Sequence, residues 1–336
     1  MVCLIGKSEL INEVKILIEK VAPLDVQVLI TGETGTGKDL AARIIHEKSL
    51  RRTGPFVPVN CGAIPDSLLE SALFGHEKGA FTGATGRVKG FFEEAFGGTL
   101  FLDEISEGSL SLQTALLRVL QEEVFFKVGS TRQHRADCRI IAATNKDLRL
   151  EVSRGRFRED LYFRLNIFEI RMPPLRDRKQ DVFDLSQYYL KKLSNKYKKE
   201  IKGISKEVQR IFRSYHWPGN VRELFHVLER AVIVESSPIL SPYSLPKYLQ
   251  DKIVDQAKVG GDKDGYNGTN DDVLYHLPIL EAKRVFEKRY LERLLQKTKG
   301  NVSVAATIAG IRRQNLYRKL EQLNIEPAKF RKKARR

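Results

Sequence analysis

The sequence predicts an α/β domain on a parallel sheet, then a helical subdomain, then a separate all-α unit. Three observations carry this. First, short apolar runs at 26–30 (VQVLI), 97–105 (GGTLFLDEI) and 138–145 (CRIIAATN) read as buried strands, and the first runs through a glycine loop into the helix-like LAARIIHEKS. Second, Met172-Pro173-Pro174 interrupts the strand-like pattern, and helical periodicity replaces it. Third, KVGGDKDGYNGTNDD at 258–272 is rich in Gly, Asp and Asn and reads as a linker. The expected divisions are an α/β subdomain at 1–171, a helical subdomain at 172–249, a linker at 250–275, a helix-turn-helix unit at 276–325 and a basic tail at 326–336. No internal repeat is visible.

Length and composition bound the function. At 336 residues and 42% hydrophobic, the chain is long enough for two or three domains with cores. No run approaches the roughly 18 apolar residues of a membrane span, and residues 1–6 are too short and weakly charged for a secretory signal. A cytoplasmic protein without a membrane partner is expected. Cys3, Cys61 and Cys138 are far apart and form no cluster with the six histidines, which argues against a disulfide scaffold or structural zinc. The net charge is +16, and residues 276–336 hold 17 Lys and Arg against 5 Asp and Glu. A basic terminal unit favours an acidic polymer as partner, although the closing FRKKARR also fits a solubility tail.

The first strand leads into GETGTGKD. Strand, glycine loop and helix N-terminus are the context of a phosphate-binding P-loop: Gly32, Glu33, Thr34, Gly35, Thr36 and Gly37 turn backbone N–H groups inward, and Lys38 reaches the β and γ phosphates. Asp39 stands where a magnesium-binding hydroxyl is usual, which argues against a small-molecule kinase or GTPase. Asp103 and Glu104 close the second strand, so Asp103 can hold Mg2+ while Glu104 polarises a water aimed at the γ phosphate of the nucleotide. Ala95, Gly97 and Gly98, which lead into that strand, are counted with the nucleotide-binding positions. Asn145 ends the third strand and suits orientation of the water. Asn60, ending FVPVN, suits either restraint of Glu104 or a strand-end cap.

In GHEKGAFTGA, 75–84, Phe81 and Thr82 lie between glycines in an irregular segment. These residues alone allow a phenylalanine folded onto the core or one that contacts something else.

Together these motifs, with WPGNVREL at 217–224, resemble the central domain of sigma-54-dependent transcriptional activators, the bacterial enhancer-binding branch of the AAA+ ATPases. The likeness runs from about residue 4 to 249, with the elements in order and at similar spacing. It implies an AAA+ fold with a helical lid, ATP as the nucleotide bound by Gly32 to Lys38, Asp103 and Glu104 as the Walker B pair, Asn60 as a glutamate switch and Asn145 in sensor I. It implies arginine fingers at Arg158 and Arg164 in RGRFREDLYFRLN, and a sensor II arginine at Arg222. It also implies a ring, expected as a hexamer with a dimer when inactive, and contact of Gly79, Ala80, Phe81, Thr82, Gly83 and Ala84 with sigma-54 in the RNA polymerase holoenzyme. An arginine from a neighbouring subunit that neutralises the transferring phosphoryl group is worth ~10³ or more in rate. The plainer reading of Arg158 and Arg164 is surface pairing with Glu159 and Asp160.

After the linker, LEAKRVFEKRYLERLLQ reads as an amphipathic helix, VSVAATIA as a small-residue helix, Gly310-Ile311 as a turn and RRQNLYRKLEQL as a basic helix. The unit resembles the Fis-type DNA-binding domain. Arg312 replaces the Ser often found before the recognition helix. Arg313, Gln314, Asn315 and Arg318, with Arg312 and Lys319, are the candidate contacts to enhancer DNA, either to base edges or to phosphates alone. The function expected is an ATP-hydrolysing activator that opens the sigma-54 promoter complex. The alternatives are a DNA-binding regulator that uses the fold only to oligomerise, or an AAA+ unfoldase or helicase loader. The motif set starts near Met1, so control is expected from a separate protein or from sequence outside this chain.

Overall fold

The computed structural model describes residues 3–80, 86–250, 279–323 and 325–330. The chain divides into two compact units, Met1–Gly260 and Gly261–Arg336.

The first unit opens with α1 (Glu9–Val21), β1 (Val28–Thr31), α2 (Lys38–Glu47), β2 (Phe56–Asn60) and α3 (Asp66–Phe74). A short hairpin, β3 (Gly75–His76) and β4 (Val88–Lys89), precedes α4 (Phe91–Glu94) and β5 (Thr99–Asp103). Then come α5 (Leu110–Glu122), a second hairpin of β6 (Val124–Phe126) and β7 (Gln133–Arg135), β8 (Arg139–Thr144), α6 (Leu148–Ser153), α7 (Glu159–Leu165) and β9 (Phe168–Arg171). Ser8 and Ser109 cap α1 and α5 by accepting backbone N–H groups in the first turn.

Five strands form one parallel sheet in the order β2-β5-β8-β1-β9. A strand sends alternate side chains to opposite faces, and here both faces are covered. Leu29, Leu100, Leu102, Ile140 and Ala142 enter the core shared with α3, α4, α5 and α7. Their neighbours Val28, Ile30, Phe101, Ile141 and Ala143 enter the core shared with α1 and α2. All strands run the same way, so Thr31, Asp103 and Thr144 reach one edge together.

Ala95, Gly97 and Gly98 lie at the opposite edge, which corrects the sequence assignment. The Gly97 N–H donates to the Asp137 carbonyl at 2.7 Å, and the Gly98 carbonyl accepts from Arg139 at 3.0 Å, both ahead of or at the start of β8. Ala95 is buried in the core. At about 3.3 Å per residue, the length of β5 separates these residues from Asp103.

The helical subdomain contains α8 (Asp181–Tyr197), β10 (Gly203–Ile204), α9 (Lys206–Ser214), α10 (Asn220–Val234) and β11 (Ile239–Leu240). Its core includes the single tryptophan, Trp217, whose Nε1 donates to the Phe212 carbonyl at 2.8 Å. A two-residue parallel pairing of β10 with β11 makes it not quite all-helical as expected.

The second unit holds α11 (Ile279–Lys297), α12 (Val302–Ile308) and α13 (Arg313–Gln322) around Leu291, Leu295, Ala305, Leu316 and Leu320. Gly310, at φ +66°, makes the turn between α12 and α13. A 3-10 turn, Pro327–Phe330, carries Phe330 back against this core, so packed residues extend into the expected tail. Of the expected linker, only Gln250 is among the described residues.

Candidate active site

The loop between β1 and α2 takes a path that glycine permits. Gly35 and Gly37 have φ of +80° and +99°, and a Cβ on Gly35 would lie 2.3 Å from the Gly219 carbonyl. Thr36 ties the turn together, its Oγ1 donating to the Glu33 carbonyl at 2.8 Å. Lys38 begins α2, is 6% exposed, and donates from Nζ to the Gly32 carbonyl at 3.0 Å. Asp39 is exposed in the first turn of α2.

Beside the loop, Asp103 ends β5, and burial pushes its carboxyl above the ordinary range against the pull of Lys38. The Glu104 N–H donates to Asp103 Oδ1 at 3.0 Å. Glu104 has φ +53°, and its Oε2 is buried with no hydrogen-bond partner among the described residues. Asn145 Nδ2 donates to Thr34 Oγ1 at 3.1 Å, which joins the end of the third strand to the loop. Asn60 behaves as a cap: its Oδ1 accepts from the Gly62 and Ala63 N–H groups at 2.9 and 3.1 Å. No hydrogen bond joins Asn60 to Glu104 among the described residues.

A cleft of about 430 Å³ runs from Gly35, Gly37 and Asp39 to Ile5, Tyr189 and Arg222. Two features missed in the sequence border the loop. Arg178 lines this cleft, 3% exposed, with Nη2 donating to the Thr36 carbonyl at 3.3 Å and Nε without a partner among the described residues. Asn220 and Arg176 both hold Glu33, Arg176 bidentately at 2.6 and 2.7 Å. The two arginines after Pro174, and the asparagine inside WPGNVREL, were the signals that could have found them. Arg222 donates its backbone N–H to the Gly35 carbonyl at 3.3 Å.

A glycine loop at a helix N-terminus, Lys38 and an orphaned buried guanidinium nitrogen fit a nucleoside polyphosphate. Asp103 at the same edge fits Mg2+ shared with phosphate oxygens, since that ion is commonly held by one or two carboxylates. No cluster of three or more His, Cys, Asp or Glu suited to a metal occurs among the described residues.

Arg158 and Arg164 do not reach this loop. Arg158 pairs with Asp160 at 2.7 Å, the surface pairing the sequence also allowed, and Arg164 donates twice to the Leu120 carbonyl at 2.8 and 3.0 Å. Arg164 borders a separate polar cleft with Asp25, Arg51 and Asp137 near the amino edge of the sheet.

Phe81, Thr82, Gly83 and Ala84 lie outside the described residues; Gly79 and Ala80 are within them. The β3–β4 stem that leads to them is backed by the second hairpin. Val128 donates to the Gly75 carbonyl and accepts from Glu77, and Gly129 packs so closely on Ala80 that a Cβ there would lie 2.8 Å from the alanine Cβ. Lys127, buried, pairs with Glu93 at 2.7 Å beneath the stem.

In the second unit, Arg312, Arg313, Gln314, Asn315 and Arg318 are exposed around α13. Arg312 is the N-cap and makes no side-chain capping bond, as its replacement of serine suggests. Arg313 lies over the Tyr317 ring at 5.6 Å. Lys319 has a protein partner, Glu287 of α11, at 2.9 Å.

Comparison with known proteins agrees with this layout. Residues 4–171 match the sigma-54 interaction domain, 176–260 the AAA+ ATPase lid domain, and 284–323 the Fis family of bacterial regulatory proteins. The regulatory protein AtoC of Escherichia coli (strain K12) is 44% identical over 309 residues, covering 92% of this chain and 65% of AtoC. The transcriptional regulatory protein ZraR of Klebsiella oxytoca is 43% identical over 319 residues, covering 95% of this chain and 68% of ZraR. The crystal structure of NtrX from Brucella abortus in complex with ATP is similar at a TM-score of 0.69 and 33% identity, covering 96% of this chain and 70% of that one. The chain thus spans about two thirds of the length of these relatives. With the three matched regions in this order, and with the loop, acidic pair and lid arranged as described, the chain belongs to the sigma-54-dependent transcriptional activators, AAA+ regulators with a Fis-type helix-turn-helix.

Proposed function

We propose that this chain hydrolyses ATP with Mg2+ and uses the energy to remodel the sigma-54 RNA polymerase closed complex into the open complex. The observation that carries the reading is the convergence of Lys38, Asp103, Glu104 and Asn145 at one sheet edge, in a chain that also carries GAFTGA on a braced hairpin stem. That NtrX binds ATP supports it.

In this reading Lys38 leaves the Gly32 carbonyl to hold the β and γ phosphates. Asp103 would hold Mg2+, which would supply positive charge to offset that of the phosphates. Glu104, whose free Oε2 is already desolvated, accepts a proton from or orients the attacking water, and Asn145 fixes that water from the loop side. Arg222 senses the nucleotide from the lid. Arg158 and Arg164, held away from their own loop, act on the nucleotide of a neighbouring subunit in a ring, expected to be a hexamer. Residues 79–84 then carry the nucleotide state to sigma-54, with Phe81 and Thr82 as the contact. The exposed residues of α13 hold enhancer DNA and raise the local concentration at the promoter.

Two parallel assays test this: phosphate release from ATP, and sigma-54-dependent open-complex formation. Phe81→Ala should retain most of the first and lose most of the second. Loss of both, with the fold intact, would sink the division of labour.

A further inference from the structure

A P-loop that turns its N–H groups toward phosphate must turn carbonyl groups the other way, and these need partners when buried. In this chain the partners come from the first turn of α10, more than 180 residues downstream. The Gly35 carbonyl accepts from the Val221 and Arg222 N–H groups at 2.9 and 3.3 Å. These amides belong to the set a helix N-terminus leaves without intrahelical partners. The Thr34 carbonyl accepts from Asn220 Nδ2 at 3.0 Å, and the same Nδ2 lies 3.2 Å from Glu33 Oε2. Asn220 Oδ1 accepts from the Leu175 N–H at 2.7 Å, which fixes the amide orientation.

Asn220 is 0% exposed and has φ +52°, a region that asparagine tolerates better than most side chains. Gly219, just before it, is the residue whose carbonyl a Cβ on Gly35 would strike. Glu33 completes the assembly through its bidentate bond with Arg176.

We infer that Asn220 is a positioning residue for nucleotide binding: with the first amides of α10 it moulds residues 33–35 into the anion-binding shape, and the same helical turn delivers Arg222. This rests on the ATP reading above and extends it. The lid is then part of the phosphate site from the outset, because its helix supplies the outward hydrogen bonds that the loop geometry requires. Loop shape and sensor position become one variable.

The test uses the full chain and a fluorescent ADP analogue, with circular dichroism to check folding. Asn220→Asp keeps the acceptor for Leu175, tolerates the same φ, and sets a carboxylate against Glu33 and the Thr34 carbonyl. It should weaken the analogue by about tenfold or more, since a charge-assisted contact is lost and a repulsive one gained. Adding Glu33→Gln restores a donor across the gap, so Asn220→Asp/Glu33→Gln should recover at least a threefold part of the loss. Asn220→Gly, which keeps φ and removes the amide, serves if the aspartate variant does not fold, and should also weaken binding. Amide hydrogen exchange at Val221 and Arg222, measured without nucleotide, should be slow in the parent and faster in the variants. If the variants bind like the parent, or the double variant binds no better than Asn220→Asp, the inference is wrong. Failure of the parent itself to bind the analogue would instead sink the ATP reading, while the exchange data would still report on the grip of α10.

Discussion

Arg178→Met should make the nucleotide-free protein more stable and its response to nucleotide smaller. The arginine is 3% exposed, its Nε has no partner among the described residues, and the one hydrogen bond its guanidinium makes among them, to the Thr36 carbonyl, is long at 3.3 Å. The neighbouring carboxylate, Asp181, attracts it but makes no direct ion pair with it among the described residues, its oxygens accepting instead from the Lys7 and Ser8 N–H groups at 2.7 and 2.8 Å. Burial accordingly pulls the guanidinium below its usual pKa. A buried charge whose nearest counter-charge is not in direct contact recovers only part of its desolvation cost, and apolar replacement of buried ions stabilises by about 1–4 kcal/mol in favourable cases. Methionine follows the arginine stem without branching and fills the space. Subtracting the weak bond to Thr36, the net gain is about 1–2 kcal/mol, a rise in Tm of roughly 2–6 °C for a unit of this size. For the parent, ADP at a hundred times its Kd stabilises by about 2.7 kcal/mol, and a tenfold weaker Kd at the same concentration cuts that to about 1.4 kcal/mol. Differential scanning calorimetry with and without ADP reads both quantities. A lower Tm without nucleotide together with an undiminished ADP shift would refute the view that this buried charge is kept for the ligand.

Lys38→Ala and Arg158→Ala proteins, each inactive alone, should recover part of their ATPase activity on mixing, because one supplies the loop and its neighbour the finger; no recovery in assemblies shown to be mixed would remove the trans role. Glu235 offers a pH test: burial works to raise its pKa, but hydrogen bonds from Ser241 and Ser237 outweigh it and hold it at about 2 against the ordinary 4.5. The depressed value means this carboxylate stabilises the fold above pH ~4.5 and loses that contribution as pH falls toward 2. Glu235→Gln should therefore lower Tm at pH 7, by ~1–2 kcal/mol of stability, with the difference from the parent shrinking below pH 4.5 in thermal melts. A chain ending at Asp272 should keep ATPase activity at high protein concentration and lose specific DNA binding, and the intact chain's affinity should fall with salt at a log-log slope of about −0.9 per phosphate contacted, read by fluorescence anisotropy.

The parts of the site that were legible in the sequence are those fixed by local geometry. Strand, glycine loop and helix are consecutive, so Gly32 to Lys38 needed no tertiary information, and Asp103 had to arrive at the same edge once the sheet was taken as parallel. Ala95, Gly97 and Gly98 were misassigned because a contiguous motif was treated as one place, although it runs the full length of a strand. Asn60 stayed ambiguous for a different reason: its two roles differ only in which neighbour the amide selects, and the structure shows Gly62 and Ala63. Arg178 and Asn220 were missed because their partners, Thr36 and Glu33, are over 140 residues away in sequence. Their local settings, an arginine pair after Pro174 and the WPGNVREL stretch, mark them as candidates but do not say which loop residue each one meets.

The strand order has a consequence for synthesis. β1 lies between β8 and β9, so Val28 waits for Ile141 and Phe168 before either edge of its strand is paired. More than a hundred residues must leave the ribosome first, about 5–20 s at ~5–20 residues per second. During that interval an apolar strand and the glycine loop behind it have open hydrogen-bonding edges, while β2 and β5 can already pair with each other. The glycine loop is thus made more than a hundred residues ahead of the strands that secure it, which makes the nascent chain, rather than the finished protein, the form most exposed to aggregation and to chaperone capture.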